Sequence, residues 1–197
     1  MTRTLIVMVK APMVGRVKTR LAHDIGRVAA AWWYRHQVVG LLRRLRDPRW
    51  RLVLAVAPDR AAGASYWPED IPRVAQGRGD LGARMARLLR RPGQVLVIGS
   101  DIPTVDKPHI WRAFRVLGGA DTVFGPAEDG GFWLVGAGGP RALPPGLFCD
   151  VRWSGPHALS DSIRTLKGAS VACADILRDV DTVDDLHAFR HDGTHGA

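Results

Sequence analysis

Four cations, Lys10, Arg16, Lys18 and Arg20, fall within the eleven positions of K-A-P-M-V-G-R-V-K-T-R, directly after the apolar run Leu5 to Val9. A buried strand that empties into a basic turn is suited to holding phosphates. Gly15 lets the backbone approach a ligand there, and the start of a following helix would add partial positive charge. A solvated basic loop would carry the same residue types, so the carboxylates elsewhere in the chain bear on the choice. The run Gln94 to Gly99 ends in S-D-I-P, Ser100 to Pro103. An aspartate at a strand end, fixed by a nearby proline, faces the ligand crevice of an open α/β sheet. If that crevice holds two phosphates, a divalent cation is needed, and Mg²⁺ takes only one or two protein carboxylates. Asp101 is the candidate ligand, because Asp106 is better placed to cap the helix that follows. Asp181, in D-V-D-T-V-D-D-L, is the candidate second carboxylate if its loop folds back over the sheet.

Glu128 and Asp129 precede a glycine pair in G-P-A-E-D-G-G-F-W, Gly125 to Trp133. A hairpin with D-G in its turn explains the pattern, and an acid at its tip is placed to bind an acceptor hydroxyl or take its proton. Phe132 and Trp133 supply either an apolar wall or core. Q-G-R-G-D-L-G-A-R, Gln76 to Arg84, sets Gly79, Asp80 and Arg84 at a helix start near the same crevice. V-R-W-S-G-P-H, Val151 to His157, opens another helix with Ser154 as its cap, and Trp153 either meets an acceptor or packs inward.

Periodicity predicts the elements that position these groups. Strands are expected at Leu5–Val9, Arg51–Ala57, Val95–Gly99, Thr122–Gly125 and Gly131–Val135, with a weaker one at Ser170–Ala174. Helices are expected over Thr19 to Arg46, interrupted at Gly26, and over Leu81–Leu89, Pro108–Leu117 and Gly155–Leu166. Alternation of strand and helix implies a single-domain α/β fold, a mainly parallel sheet with helices on both faces. Each motif above follows one of those strands, where ligands of such sheets bind.

The 197 residues suit one domain, expected over residues 1–190, with a small polar tail at 191–197 that is expected to fray. The apolar runs are far shorter than the ~20 residues of a membrane span. Met1 to Val9 lacks a signal-peptide pattern, and two cysteines make no disulfide framework, so a cytoplasmic setting is expected. The net charge of +9 comes from 28 cations, 24 of them arginine, scattered along helices as in L-L-R-R-L-R-D, Leu41 to Asp47. That spacing is expected of solvated faces and not of a nucleic-acid tract. Seven tryptophans, Trp32-Trp33 among them, serve either a core or a dimer surface, so the oligomeric state stays open.

The basic loop Lys10 to Leu21, G-D-L-G at Gly79 to Gly82, G-S-D-I-P at Gly99 to Pro103, G-P-A-E-D-G-G at Gly125 to Gly131, W-S at Trp153 to Ser154 and D-V-D-T at Asp179 to Thr182 occur in one order. Together they resemble the DUF2064 family, nucleotide-dependent transferases of GT-A-like fold commonly labelled glycosyltransferases and related to the guanylyltransferases that act on phospholactate. The resemblance covers nearly the whole chain. It implies that the first loop, with Lys10, Ala11, Pro12, Gly15, Lys18 and Arg20, binds the nucleotide together with Gly79, Asp80 and Arg84. It further implies a Mg²⁺ or Mn²⁺ ion on Asp101 and Asp181; acceptor contacts are expected from Gly130, Trp133, Trp153 and Ser154 on the reading of their own segments. Phe-Trp follows E-D-G-G where tyrosine is usual in the family, which bears on the acceptor.

The expected function is metal-dependent transfer from a nucleotide-activated sugar to a small hydroxyl acceptor. Lys10, Lys18 and Arg20 would hold the diphosphate, and Asp129, with Glu128 beside it, would supply the base. Nucleotidyl transfer from an NTP to a phosphorylated acceptor, with release of pyrophosphate, is the rival and draws on the same cations. A nucleotide-binding protein without turnover is the third reading, since fold does not fix chemistry.

Overall fold

The computed structural model describes residues 2–178. Asp181, the D-V-D-T segment and the polar tail lie outside the described residues. Seven strands form one sheet in the order β3-β2-β1-β4-β6-β5-β7. They are β1 (Arg3–Lys10), β2 (Arg51–Ala57), β3 (Arg73–Ala75), β4 (Gln94–Ile98), β5 (Thr122–Pro126), β6 (Phe132–Ala137) and β7 (Val171–Cys173). The helices are α1 (Thr19–Ile25), α2 (Arg27–Arg44), α3 (Leu81–Leu89), α4 (Lys107–Leu117) and α5 (Ala158–Arg164). β1 pairs in parallel with β2 and β4, whereas β6 runs antiparallel to both β4 and β5. The start of β6 therefore lies beside the end of β4, with Leu134 opposite Ile98. This brings the β5–β6 hairpin to the same edge as the loops after β1 and β4.

Alternate β1 residues face opposite layers, as strand geometry requires. Leu5, Val7 and Val9 pack with Tyr34 and Leu41 of α2 and with Ile110 and Phe114 of α4. Ile6 faces the other way, toward Met85 and Leu88 of α3 and toward Leu147 and Phe148. With this sheet and its two helical layers the α/β architecture expected from the alternation is in place. Among the described residues no helix is long and apolar enough to cross a membrane.

The predicted long helix does break at Gly26, which divides α1 from α2. Of the tryptophan pair, Trp33 packs partly inward while Trp32 is exposed and stacks on His36. Two expectations need correction. β3 has three residues, too few to show a period, and is recruited by pairing with β2. The helix expected from Gly155 begins only at Ala158, with His157 at its cap position. Ser154 does not cap it, because its backbone is left-handed, φ 62°, and turns the chain before the helix starts.

That turn belongs to a tightly held loop. Phe148, Asp150 and Ser154 are three of the four described non-glycine residues with left-handed backbone. Such conformers persist only where the surroundings over-determine them. Here the Phe148 N–H donates to Thr165 Oγ1, and α5 supplies the buried carboxylate of Asp161. Asp161 accepts from the Arg152 backbone N–H and, at 2.8 and 3.0 Å, from its guanidinium, with Arg164 3.1 Å away. The hydrogen bonds from Arg152 hold the Asp161 carboxyl well below the usual carboxylate range. A depressed folded value gives stabilisation that is complete above the unfolded value of about 3.9 and is lost as pH falls toward the folded one. Asp161→Asn is expected to lower Tm by several degrees at pH 7 and to flatten the fall of Tm below about pH 4. Thermal melts across that range test this, and parallel acid limbs in the two proteins would refute it.

Candidate active site

At the carboxyl ends of β1 and β4, under the β5–β6 hairpin, the chain encloses a cleft of about 620 Å³. That is within the size range of sites for small ligands. Its base is tied together by one phenol. The Tyr34 hydroxyl accepts the Lys10 backbone N–H at 2.8 Å and lies 3.2 Å from Ser100 Oγ, so α2, β1 and the loop after β4 meet on one oxygen. Burial pushes the Tyr34 phenol up to about 12, which keeps it neutral.

Lys18 occupies the residue before α1 in left-handed backbone, φ 46° and ψ 51°. Its side chain is only 5% exposed, with Nζ 3.0 Å from Asp101 Oδ1 and 5.7 Å from the centroid of the Trp33 ring. Both are favourable to an ammonium held away from water. Asp101 Oδ1 is buried against the Lys18 ammonium, whereas the Asp101 side chain as a whole is open to the cleft. A carboxylate with one oxygen held and the rest open to the cleft fits a hard cation whose remaining ligands come from phosphate and water. Among the described residues no group of three or more His, Cys, Asp and Glu gathers as a ready-made metal cage.

Lys10, Lys18, Arg20 and Arg84 all line the cleft. The Arg84 Nε–H donates to the Gly79 carbonyl, which fixes the guanidinium over the first turn of α3. Asp80 caps that helix by accepting the Ala83 N–H at 2.8 Å, so its carboxylate is engaged in structure. Ala11, Pro12 and Gly15 do not line the cleft: Ala11 is buried, with its N–H donated to the Ala57 carbonyl, and Gly15 turns the loop at φ 73°.

On the opposite bank Asp129 reaches the cleft and Glu128 does not. Asp129 Oδ1 accepts the Gly131 N–H at 2.9 Å, which orients the carboxylate and leaves Oδ2 for another partner. Gly130 is a packing residue. A Cβ there would lie 2.4 Å from the Pro156 carbonyl oxygen, and the Gly130 carbonyl accepts the Leu159 N–H, so the hairpin tip sits directly on the loop before α5. Trp153 and Ser154 line the cleft, Trp153 within an aromatic group with Phe132 and Phe148. Trp133 touches the cleft but is mainly core: it is 4% exposed and donates its indole N–H to the Asp175 carbonyl.

Tyr34, Ser100 and Gln76 are site residues that the sequence motifs do not single out. Tyr34 reads as one more residue on the buried face of a helix, and Gln76 follows a strand too short to be seen. A polar side chain at a strand end beside a glycine-rich turn is the one signal that could have marked Gln76.

The family model described as an uncharacterized protein conserved in bacteria, DUF2064, matches residues 41–155, more than half of the chain. Among solved structures, a putative nucleotide-diphospho-sugar transferase from Desulfovibrio desulfuricans is 27% identical with a TM-score of 0.90, covering 100% of this chain and 90% of that one. The manganese complex of the Rv0371c protein from Mycobacterium tuberculosis is 16% identical with a TM-score of 0.52, covering 95% and 97% of the two chains. A 4-diphosphocytidyl-2C-methyl-D-erythritol synthase from Anaerococcus prevotii is 9% identical with a TM-score of 0.59, covering 96% and 98%. The last two share the fold. No protein of curated function matches the chain in sequence. With the order of motifs, the sheet topology and the match over its central 115 residues in agreement, the chain belongs to the DUF2064 family.

Proposed function

We propose that this protein is a nucleotide-dependent transferase that moves a sugar from a nucleoside diphosphate to a small hydroxyl acceptor. The observation that carries the reading is the division of the cleft: Lys10, Lys18, Arg20 and Asp101 stand on one bank, and Asp129 with Trp153 stands on the other. The 27% identical structure, described as a nucleotide-diphospho-sugar transferase of putative standing, supports the same reading. Lys10, Lys18 and Arg20 offset the charge of the diphosphate and of the leaving nucleoside diphosphate. Asp101 would hold a divalent cation through the part of its carboxylate that is open to the cleft, and that ion would supply further charge compensation at the phosphates. Asp129, oriented by the Gly131 N–H, takes the proton of the acceptor hydroxyl. The acceptor oxygen then bonds to the anomeric carbon as that carbon parts from the phosphate oxygen. Trp153 offers an apolar face against which a sugar ring can lie.

Nucleotidyl transfer is the second reading, favoured by the four cations that line one cleft beside a single described carboxylate on the phosphate bank. There the acceptor is a phosphate, attack occurs at the α-phosphate of an NTP, and pyrophosphate leaves. A phosphate acceptor has no proton that must be removed, so Asp129 distinguishes the two.

In the first reading Asp129→Asn is expected to lower kcat about 10²–10⁴-fold while nucleotide affinity stays within about twofold. An unchanged kcat with pyrophosphate as product would instead establish nucleotidyl transfer. Asp101→Asn is expected to weaken Mg²⁺-dependent nucleotide binding by about tenfold or more, read by calorimetry with and without the metal. Equal affinities for wild type and variant in Mg²⁺ would remove Asp101 from the metal site.

A further inference from the structure

Gln76 lines the same cleft as Lys10, Lys18 and Asp101. This residue follows β3, donates its backbone N–H to the Val56 carbonyl at 3.0 Å, and accepts from Arg87 at 2.6 Å through its own carbonyl. Its side chain is fixed as firmly. Nε2 donates to the Val9 carbonyl at 3.1 Å and to the Ala55 carbonyl at 2.9 Å. Two carbonyl partners can be met only by the NH₂ group, so the amide has one possible orientation. Both of its hydrogens are used, and what remains is a carbonyl oxygen. Gln76 is 5% exposed, it lines the cleft, and its Oε1 accepts no hydrogen bond from any described residue.

Apolar side chains line the same cleft on the α3 side of the sheet, Met8 from β1 and Leu81 and Met85 from α3. The amide bridges β1 and β2, while Asp101 follows β4 on the far side of β1. At the usual strand spacing the amide lies roughly 7 Å from the axis of β4, so a ligand with its phosphates near Asp101 must extend across β1 to meet it. An apolar slot with one fixed polar atom at its end is the form of a selective small-molecule subsite.

We infer that Gln76 reads the nucleobase as a fixed hydrogen-bond acceptor and selects a base with a ring N–H at the centre of its pairing edge, that is, guanine or uracil. This rests on the nucleotide-dependent reading above. Adenine and cytosine place a ring nitrogen lone pair at that position and would set acceptor against acceptor. Gln76 cannot turn over to suit them without abandoning the Val9 and Ala55 carbonyls, which would leave buried acceptors unpaired.

The test is calorimetry of the full chain in Mg²⁺ with GDP, UDP, ADP and CDP, followed by N1-methyl-GDP and N3-methyl-UDP. The methyl group replaces the ring N–H and leaves the phosphates unchanged. GDP or UDP is expected to bind about tenfold or more tighter than ADP and CDP, and its methylated form to lose about tenfold or more. Gln76→Met is expected to bring the four bases to within about threefold of one another, at the affinity that the phosphates alone provide. Tightest binding by ADP or CDP, equal binding of all four, or full affinity of the methylated nucleotide would overturn the inference and leave the transferase reading standing. If none of the four binds, the nucleotide reading itself falls. The methylated ligands decide the question on the wild-type protein even where the Gln76 variant does not fold.

Discussion

An ammonium almost out of water must be matched by charge, and the placement of Lys18 makes this requirement the organising constraint of the cleft. Its Nζ has Asp101 Oδ1 at 3.0 Å and the Trp33 ring beneath it. Each contact comes from a different element: the loop after β4 supplies the aspartate, α2 the tryptophan, and the turn before α1 the lysine itself. Removing the Lys18 ammonium or the Asp101 carboxylate breaks a pair in which one partner is nearly buried, and breaking such a pair costs more than the pair contributes. The same arrangement suits a phosphate ligand, because an oxyanion beside Lys18 meets a cation already stripped of most of its water. Lys18 accordingly keeps a left-handed backbone, a conformation that ordinary loops avoid.

Two buried polar side chains keep the surrounding backbone fixed. Tyr34 joins the ends of β1 and β4 through one hydroxyl, and Gln76 joins the ends of β1 and β2 through one amide. β1 is thus secured on both sides where its paired region ends and the basic loop begins. Parallel strands leave backbone carbonyls pointing into the crevice at these ends, and each must find a donor or a ligand. The site is preorganised by meeting this local requirement.

Long, regular features of the sequence carried over well into the structure. The Arg51–Ala57 strand is apolar and bounded by turn residues, the α2 break occurs at a glycine, and Asp106 caps α4 by accepting the His109 N–H. Lys10, Lys18, Arg20 and Asp101 were legible because loops after strands in such a sheet have only one edge at which to collect. Ser154 departs from expectation because a serine two residues ahead of a proline looks like a cap, and only the packing of the 148–154 loop dictates φ 62° there. Asp80 caps a helix and Gly130 makes a close backbone approach, structural roles that local sequence does not distinguish from ligand contacts. Tyr34 and Gln76 have contacts that are not legible in the local sequence, although Gln76 opens the glycine-rich motif that ends at Arg84. Their function lies in contacts across 24 and 67 residues of chain, to which no local period responds.

The two banks of the cleft are built by different means, and this bears on how the site accommodates its ligands. The bank with Lys10, Lys18 and Asp101 is fixed by charge and by hydrogen bonds to strand ends, so it is tied to the sheet. The bank with Asp129 and Trp153 rests on packing between loops. Gly82 lets α3 approach so closely that a Cβ there would lie 2.7 Å from Phe148 Cβ and 2.9 Å from the Trp153 ring, and Gly130 seats the hairpin on Pro156. Asp161 holds this assembly from behind through Arg152, next to Trp153 in the chain. Changes at Phe132 or Trp153 therefore alter the shape of this bank without disturbing the strand ends that fix Lys10 and Ser100. In the proposed reading, that separation lets the acceptor side vary while the side fixed by the sheet is kept, as with Phe-Trp after E-D-G-G beside the basic loop and Asp101.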